Sequence, residues 1–282
     1  MEWNGVLDTP LNKLVAGWIG FITFFFLFVF KKPVPLHSEY HNFADRRTFF
    51  ACGCCCKIAN GNDVLSNIPF ALVSLCGIGH LLSYGSTLKI FEIDPPVFAN
   101  PSQEIPFWMI FYVAVGLVSI GSSYYHLKPT SKRLTWDIMP MTVAFVTLTS
   151  IVLQETVCVK IPYSVFWLMV ATGISTVLYW RMTDDLRPYI LVQLGAIISI
   201  PICFGFWGSK YYDKDVIIHY MEAVLFYAAC KVTELFDGKI YNWTGKRISG
   251  HTIKHLLASV ASGWPIIILS SRSLKESIEE IE

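Results

Sequence analysis

The chain has 282 residues, of which 54% are hydrophobic and only 15% are charged, and its mean hydropathy is +0.49. Soluble globular chains carry charge on about a quarter of their residues, so this composition excludes an ordinary soluble domain. The formal net charge of +1 argues against a nucleic-acid partner, because proteins that bind nucleic acids present strongly basic surfaces. The composition therefore predicts an all-α fold, a polytopic bundle of transmembrane helices.

Apolar segments recur along the chain, and each is long enough to cross a bilayer, which takes about 20 mostly apolar residues. The predicted spans are residues 14–30, 64–84, 106–126, 137–154, 161–180, 188–207, 216–236 and 252–270. No small-residue cleavage pattern follows the first of them, so residues 1–35 are predicted to be an N-terminal membrane helix and not a signal peptide. The other spans predict a seven-helix domain over 36–271, followed by a polar, solvated tail over 272–282.

Cysteines are concentrated in the loop before the second span, at Cys52, Cys54, Cys55 and Cys56. Juxtamembrane cysteines on the cytoplasmic side are candidates for palmitoylation. The alternative is an inert cysteine-rich loop. The other cysteines lie in or beside apolar runs, where a cysteine usually behaves as a small hydrophobic side chain.

Lysine and arginine are distributed unequally between the two sides of the predicted bundle. The loops 31–62, 127–136, 181–187 and 238–249 share one side, here called the basic face, and hold thirteen of these residues, whereas the opposite side holds seven. The positive-inside rule then places the basic face in the cytoplasm. Asn242, Trp243 and Thr244 match the N-glycosylation acceptor pattern on this face, so the prediction is that Asn242 is unmodified.

Ionisable residues inside membrane spans are costly, and each is therefore a hypothesis about function. The third span ends in GSSYYH, which places Ser122 and His126 four residues apart on one helical face. The fourth span opens with Asp137. The last opens with HTIKH, in which His251 and His255 again share a face.

The number of crossings predicts that these side chains meet. His126 ends a span that runs toward the basic face, and Asp137 begins the span that leaves it. Four further crossings return the chain to the basic face at His251 and His255. Three imidazoles and a water molecule can form a tetrahedral zinc site with one open position, so the sequence predicts a catalytic metal site there.

Taken singly, each of these residues also has a structural interpretation. A histidine at a helix end can be an interfacial anchor, Asp137 can be a helix N-cap, and Ser122 can be a small packing residue. In the seventh span, Lys231 with Glu234 and His219 with Glu222 have the i,i+3 spacing of ion pairs. A second site or a proton path is the alternative for those four residues.

The pattern S-x3-H, an aspartate eleven residues later and a late H-x3-H resembles the alkaline ceramidase family. That family belongs to a wider group of seven-helix membrane hydrolases, which includes the adiponectin and progestin receptor-like proteins and a GPI-lipid remodelling branch. The resemblance covers roughly residues 45–270 and is carried by the segments DVLSNIPF, GSSYYH, RLTWDIMPMT and SGHTIKH.

The resemblance implies a function and the residues that perform it. His126, His251 and His255 would be Zn2+ ligands, and Ser122 and Asp137 would be the catalytic pair beside the metal. The substrate would be a ceramide-like membrane lipid, hydrolysed at its N-acyl bond to a sphingoid base and a fatty acid. In a eukaryote, an endomembrane location in the ER or Golgi is implied.

The resemblance also implies Ca2+ bound by acidic residues before the first core span. The candidate ligands are Glu39, Asp45, Asn60 and Asp63, without the run of acids that the family leads us to expect. An ordinary loop with solvated charges is the alternative.

Other functions fit parts of the same pattern. A hydrolase of the same fold could act on another lipid, as in GPI-lipid remodelling, and a receptor-like protein could use the zinc site structurally. A transporter is a further alternative, in which histidines and acids inside the membrane relay protons or bind substrate. Transporters often contain inverted repeats, and the lack of such symmetry in this sequence ranks this alternative last.

Overall fold

The computed structural model describes residues 32–51, 56–86, 93–157 and 160–274. The predicted first span at 14–30, the cysteines within 52–55 and most of the predicted C-terminal tail lie outside these residues.

The described chain begins with a short 3-10 turn at Ser38–His41 and an antiparallel hairpin, in which β1 at Phe49–Ala51 pairs with β2 at Cys56–Ile58. Helices form the rest of the fold. They are α1 at Gly61–Leu65, α2 at Ile68–Leu82, α3 at Pro101–Leu127, α4 at Ser131–Thr156, α5 at Tyr163–Thr183, α6 at Arg187–Trp207, α7 at Asp215–Leu235, α8 at Asp237–Trp243, α9 at Gly250–Gly263 and α10 at Pro265–Ser270.

Seven helical stretches among the described residues are long and apolar enough to cross a membrane. The first of them joins α1 to α2, and the last joins α9 to α10, where Pro265 starts the new helix. Proline is favoured at the first helical position because its missing N–H has no partner there anyway. The predicted all-α polytopic bundle is therefore confirmed, with seven spans in the described chain.

The start of α4 differs from the prediction. The helix begins at Ser131, and the side chain of Thr130 caps it by accepting a hydrogen bond from the Arg133 amide. Asp137 thus lies inside the helix, and its interpretation as an N-cap is wrong. Because the cap lies in the polar loop before the apolar run, hydropathy alone places the boundary too late.

Two glycines allow helices to approach at the backbone near the basic face. A Cβ atom on Gly121 of α3 would overlap the Trp136 carbonyl of α4 and lie 3.3 Å from the Cα atom of Asp137. A Cβ atom on Gly250 at the start of α9 would overlap the Thr233 carbonyl of α7. Small residues at such crossings let spanning helices pack closely, and here they bring the ends of α3, α4, α7 and α9 together.

The opposite end of the bundle is joined by Arg272, which is only 4% exposed. Its guanidinium donates to Glu104 of α3 at 2.9 Å and also pairs with Glu155 of α4. Tyr212 donates to the same Glu104 carboxylate at 2.6 Å. The predicted solvated tail is therefore wrong at Arg272, because two buried carboxylates hold this residue in the bundle. Burial lowers the pKa of Arg272 to about 10, which still leaves it charged at neutral pH.

Candidate metal centre and its cavity

Three histidines meet at the basic-face end of the bundle. His126 lies on the last turn of α3, and His251 and His255 lie on the first turns of α9. One ring nitrogen of each lies within 4.8 Å of the others, and all three side chains are buried. The structure thus brings together the three residues that the sequence selected as ligands, from positions more than a hundred residues apart.

The spacing of two of the three nitrogens matches that of a tetrahedral metal site. In a tetrahedral site with metal–nitrogen bonds of about 2.0–2.1 Å, two ligand nitrogens are about 3.4 Å apart. The Nε2 atoms of His126 and His251 are separated by 3.4 Å. Neutral imidazoles whose ring nitrogens point at one another have no attraction unless a proton or a cation lies between them. The buried triad can therefore hold a metal ion.

Groups outside the triad fix its orientation. The Nδ1 atom of His255 lies 2.8 Å from the Ser66 hydroxyl, which leaves its Nε2 atom for a metal. The backbone N–H of His251 donates to the Asp237 carboxylate at 2.8 Å. A partner on the second ring nitrogen, as Ser66 is for His255, sets the tautomer and ring direction of a metal-bound histidine, whereas the Asp237 bond fixes the main chain where α9 begins. Sequence reasoning missed Ser66 and Asp237, although Ser66 lies within the DVLSNIPF segment.

The N-terminal segment covers the triad. The ring centroid of Phe43 lies 4.6 Å from those of both His126 and His251, and Phe43 is buried. The backbone N–H of Ala44 donates to Asp237 at 3.0 Å, so one carboxylate anchors both this segment and the start of α9. The result is a histidine triad shielded from water on that side.

The two other predicted site residues are in contact. Ser122 of α3 lies against Asp137 of α4, and both residues are buried. The close approach of α3 and α4 at Gly121 explains this contact. Ser122 lies one helical turn before His126, so the pair lies beside the triad.

Ser122, Asp137 and His255 share the wall of a cavity of about 450 Å³. This volume falls within the range of about 300–1,000 Å³ that is usual for small-molecule sites. From its polar end near the basic face, the cavity continues along the bundle between apolar side chains. Those on its deeper wall include Phe111, Phe145, Ile197, Ile200 and Ile268.

Three of the four candidate calcium ligands have side-chain partners within the protein. Asp45 accepts from Arg47 and Asn62, Asp63 accepts from Thr252, and the Asn60 side chain donates to the His126 carbonyl. Burial alone would raise the pKa of Asp45, but the hydrogen bonds from Arg47 and Asn62 lower it overall. Among the described residues, the His126, His251 and His255 group is the one cluster of His, Cys, Asp or Glu spaced to hold a metal.

Both ion pairs predicted in α7 are present. His219 lies 2.7 Å from Glu222, and Lys231 lies 3.0 Å from Glu234. Glu222 also accepts from the indole of Trp264 at 3.1 Å.

No protein-family model matches the sequence, and no curated protein is significantly similar to it.

Proposed function

We propose that the chain is a membrane-embedded, zinc-dependent amidase that hydrolyses the N-acyl bond of a ceramide-like lipid to a sphingoid base and a fatty acid. One observation carries the proposal: a buried histidine triad adjoins the Ser122–Asp137 pair, and the two share a largely apolar cavity. The spacing of these residues, which resembles that of the alkaline ceramidases, supplies the substrate class.

The shape of the cavity supports a lipid substrate. Its polar groups cluster at the basic-face end of α3, α4, α7 and α9, and its apolar wall extends from there into the bundle. An acyl chain along this wall would place the amide next to Asp137 and His255. Burial of the chain stabilises the complex by about 0.8 kcal/mol for each CH2 group, so the apolar wall contributes most of the binding.

The residues of the site suit amide hydrolysis. Zinc held by the triad supplies polarisation of the amide carbonyl and a water of lowered pKa, about 7. The carboxylate of Asp137 accepts the proton of the attacking water and delivers it to the leaving amine nitrogen. Ser122 lies against that carboxylate and keeps it oriented. Phe43 and the apolar wall exclude bulk water from the reacting groups.

Replacement of one histidine tests the proposal. We expect purified wild-type protein to hold about one equivalent of zinc and to release fatty acid from ceramide. His255→Ala should lose both properties, because two imidazoles leave the ion undercoordinated. Elemental analysis and mass spectrometry of the lipid products measure the two effects. A variant that hydrolyses ceramide at the wild-type rate would refute the proposal.

His219→Ala is the matched control, because His219 pairs with Glu222 near the opposite end of α7 and lies outside the triad. It should retain zinc and activity. Wild-type protein that binds zinc without any lipid turnover would favour the receptor-like alternative.

A further inference from the structure

A cluster of charged side chains lines the same cavity beside the metal centre. Glu234 of α7 accepts from Lys231 at 3.0 Å through one carboxylate oxygen and from Lys254 of α9 at 2.9 Å through the other. The side chains of Lys254 and Glu234 are only 17% and 22% exposed, and all three face the cavity. These residues are called the lysine–glutamate cluster below.

Ion pairing within α7 explains only part of this cluster. Lys231 and Glu234 have the spacing of an ordinary helical pair, whereas Lys254 comes from another helix, next to His255 in the chain. Lys254 therefore reaches the cavity from the same turn that carries the triad. The cluster combines two ammonium groups with one carboxylate and has a net charge of +1.

The cluster also presents mainly donors to the cavity. An ammonium group has three N–H donors and no acceptor, and each lysine uses one of them on Glu234. Both carboxylate oxygens are already engaged. Among the described residues of the cavity wall, the other carboxylate is Asp137, which interacts electrostatically with Lys254. Lysine N–H donors that face a partly buried cavity gain most from an anionic acceptor, because charge-assisted hydrogen bonds are the stronger ones.

We infer that the lysine–glutamate cluster binds an anionic headgroup, a phosphate monoester, on the N-acyl lipid that the cavity holds. The inference rests on the proposed function for the identity of the lipid. A phosphate monoester has several terminal oxygens, so it can accept hydrogen bonds from both lysines at once. A free hydroxyl has a single oxygen. The preferred substrate is then the phosphorylated N-acyl amino alcohol, and the neutral lipid binds more weakly.

Equilibrium binding tests this preference without any turnover. The full-length, zinc-loaded protein in neutral lipid nanodiscs is titrated with two fluorescent analogues that carry an ether in place of the amide. One analogue ends in a hydroxyl and the other in a phosphate monoester. We expect the phosphate analogue to bind at least about tenfold more tightly, since hydrogen bonds to charged groups are strong.

Removal of the cluster's charge should abolish the preference. Lys254→Met should weaken binding of the phosphate analogue about tenfold and leave the hydroxyl analogue within about twofold. Lys254→Arg, which keeps the charge, should retain the preference. Lys239→Met removes a lysine from α8 on the same face, outside the cavity, and should change neither affinity.

Equal affinity of the wild type for the two analogues would overturn the inference, and so would a preference that survives Lys254→Met combined with Lys231→Met. Inorganic phosphate should not displace the lipid at matched concentration. Displacement by it would assign the cluster to a soluble anion and overturn the lipid headgroup. Because binding is measured on uncleavable lipids, this result is independent of whether the protein hydrolyses ceramide.

Discussion

At the scale of single residues, the candidate metal centre includes Ser66 as well as the three histidines. Its hydroxyl lies 2.8 Å from Nδ1 of His255, and it also donates to the carbonyl oxygen of Asp63 at 3.1 Å. The hydroxyl is therefore held by the backbone where α1 ends, and it holds the imidazole in turn. Without it, the ring of His255 can rotate away from the other ligands.

Ser66→Ala should accordingly weaken zinc binding by about 10–100-fold, the usual cost of losing an outer-shell partner of a metal ligand. Competition with a chelator of known affinity measures this change. Ser175→Ala is a suitable control, because Ser175 is exposed on α5 and donates only to its own helix, at Thr172. Equal zinc affinity of Ser66→Ala and the wild type would show that His255 is oriented by other contacts.

The three clustered histidines could be predicted from the sequence, and the residues that contact them could not. His126, His251 and His255 are marked by helical spacing and by their rarity in apolar spans. The contact of Ser66 with His255 joins residues 189 positions apart, and a serine at a helix end has many ordinary roles. The contact of Lys254 with Glu234 could not be predicted either, because the spacing in the sequence pairs Glu234 with Lys231 alone.

At the scale of helices, the site depends on how closely α3 and α4 approach at Gly121. The main chain of α4 lies where a Cβ atom on Gly121 would be, at Trp136 and Asp137. This approach brings Ser122 next to Asp137. A backbone contact cannot move aside as a flexible side chain can, so a larger residue at this position must separate the two helices.

Gly121→Ala should therefore destabilise the protein by about 1–3 kcal/mol, the usual cost of overpacking, and should lower activity further by parting Ser122 from Asp137. Thermal unfolding in detergent and the rate of lipid hydrolysis measure the two effects. In Gly205→Ala of α6, the added Cβ atom meets no other group within 4 Å, so it should leave both quantities unchanged. A Gly121→Ala protein as stable and active as the wild type would show that α3 and α4 can shift apart freely.

Hydropathy predicted the seven core spans. It did not predict the breaks within spans or the residue at which α4 begins. The break between α1 and α2 near Ser66 and the capped start of α4 at Thr130 are set by hydrogen bonds of polar side chains. Such bonds leave no trace in the apolar pattern. The break at Pro265 inside the last span lies where the hydropathy stays high.

At the scale of the whole molecule, the orientation of the bundle decides which compartment the metal centre adjoins. The basic face carries α8, where Trp243 is 93% exposed beside the acceptor residue Asn242. If this face is cytoplasmic, as the distribution of lysine and arginine predicts, no oligosaccharide is added to Asn242 despite its exposure.

In a eukaryotic host, treatment with an endoglycosidase should leave the electrophoretic mobility of the wild type unchanged, and the wild type should migrate with Asn242→Gln. An acceptor sequence appended after Glu282 should be glycosylated, because the end of the last span lies on the opposite face. A mobility shift that disappears in Asn242→Gln would place the basic face, and the metal centre with it, in the lumen.

The buried contacts of Arg272 have a consequence for biosynthesis. Arg272 follows Glu104 by 168 positions and Glu155 by 117, and the last two histidines of the triad also come from the final span. During synthesis, α3 and α4 therefore enter the membrane before Arg272 has been made. Glu104 and Glu155 have no cationic partner until the last span follows them. Metal binding by the complete triad would wait for the same step, because His251 and His255 lie in the final span, and a chain halted before α9 would keep both acids unpaired.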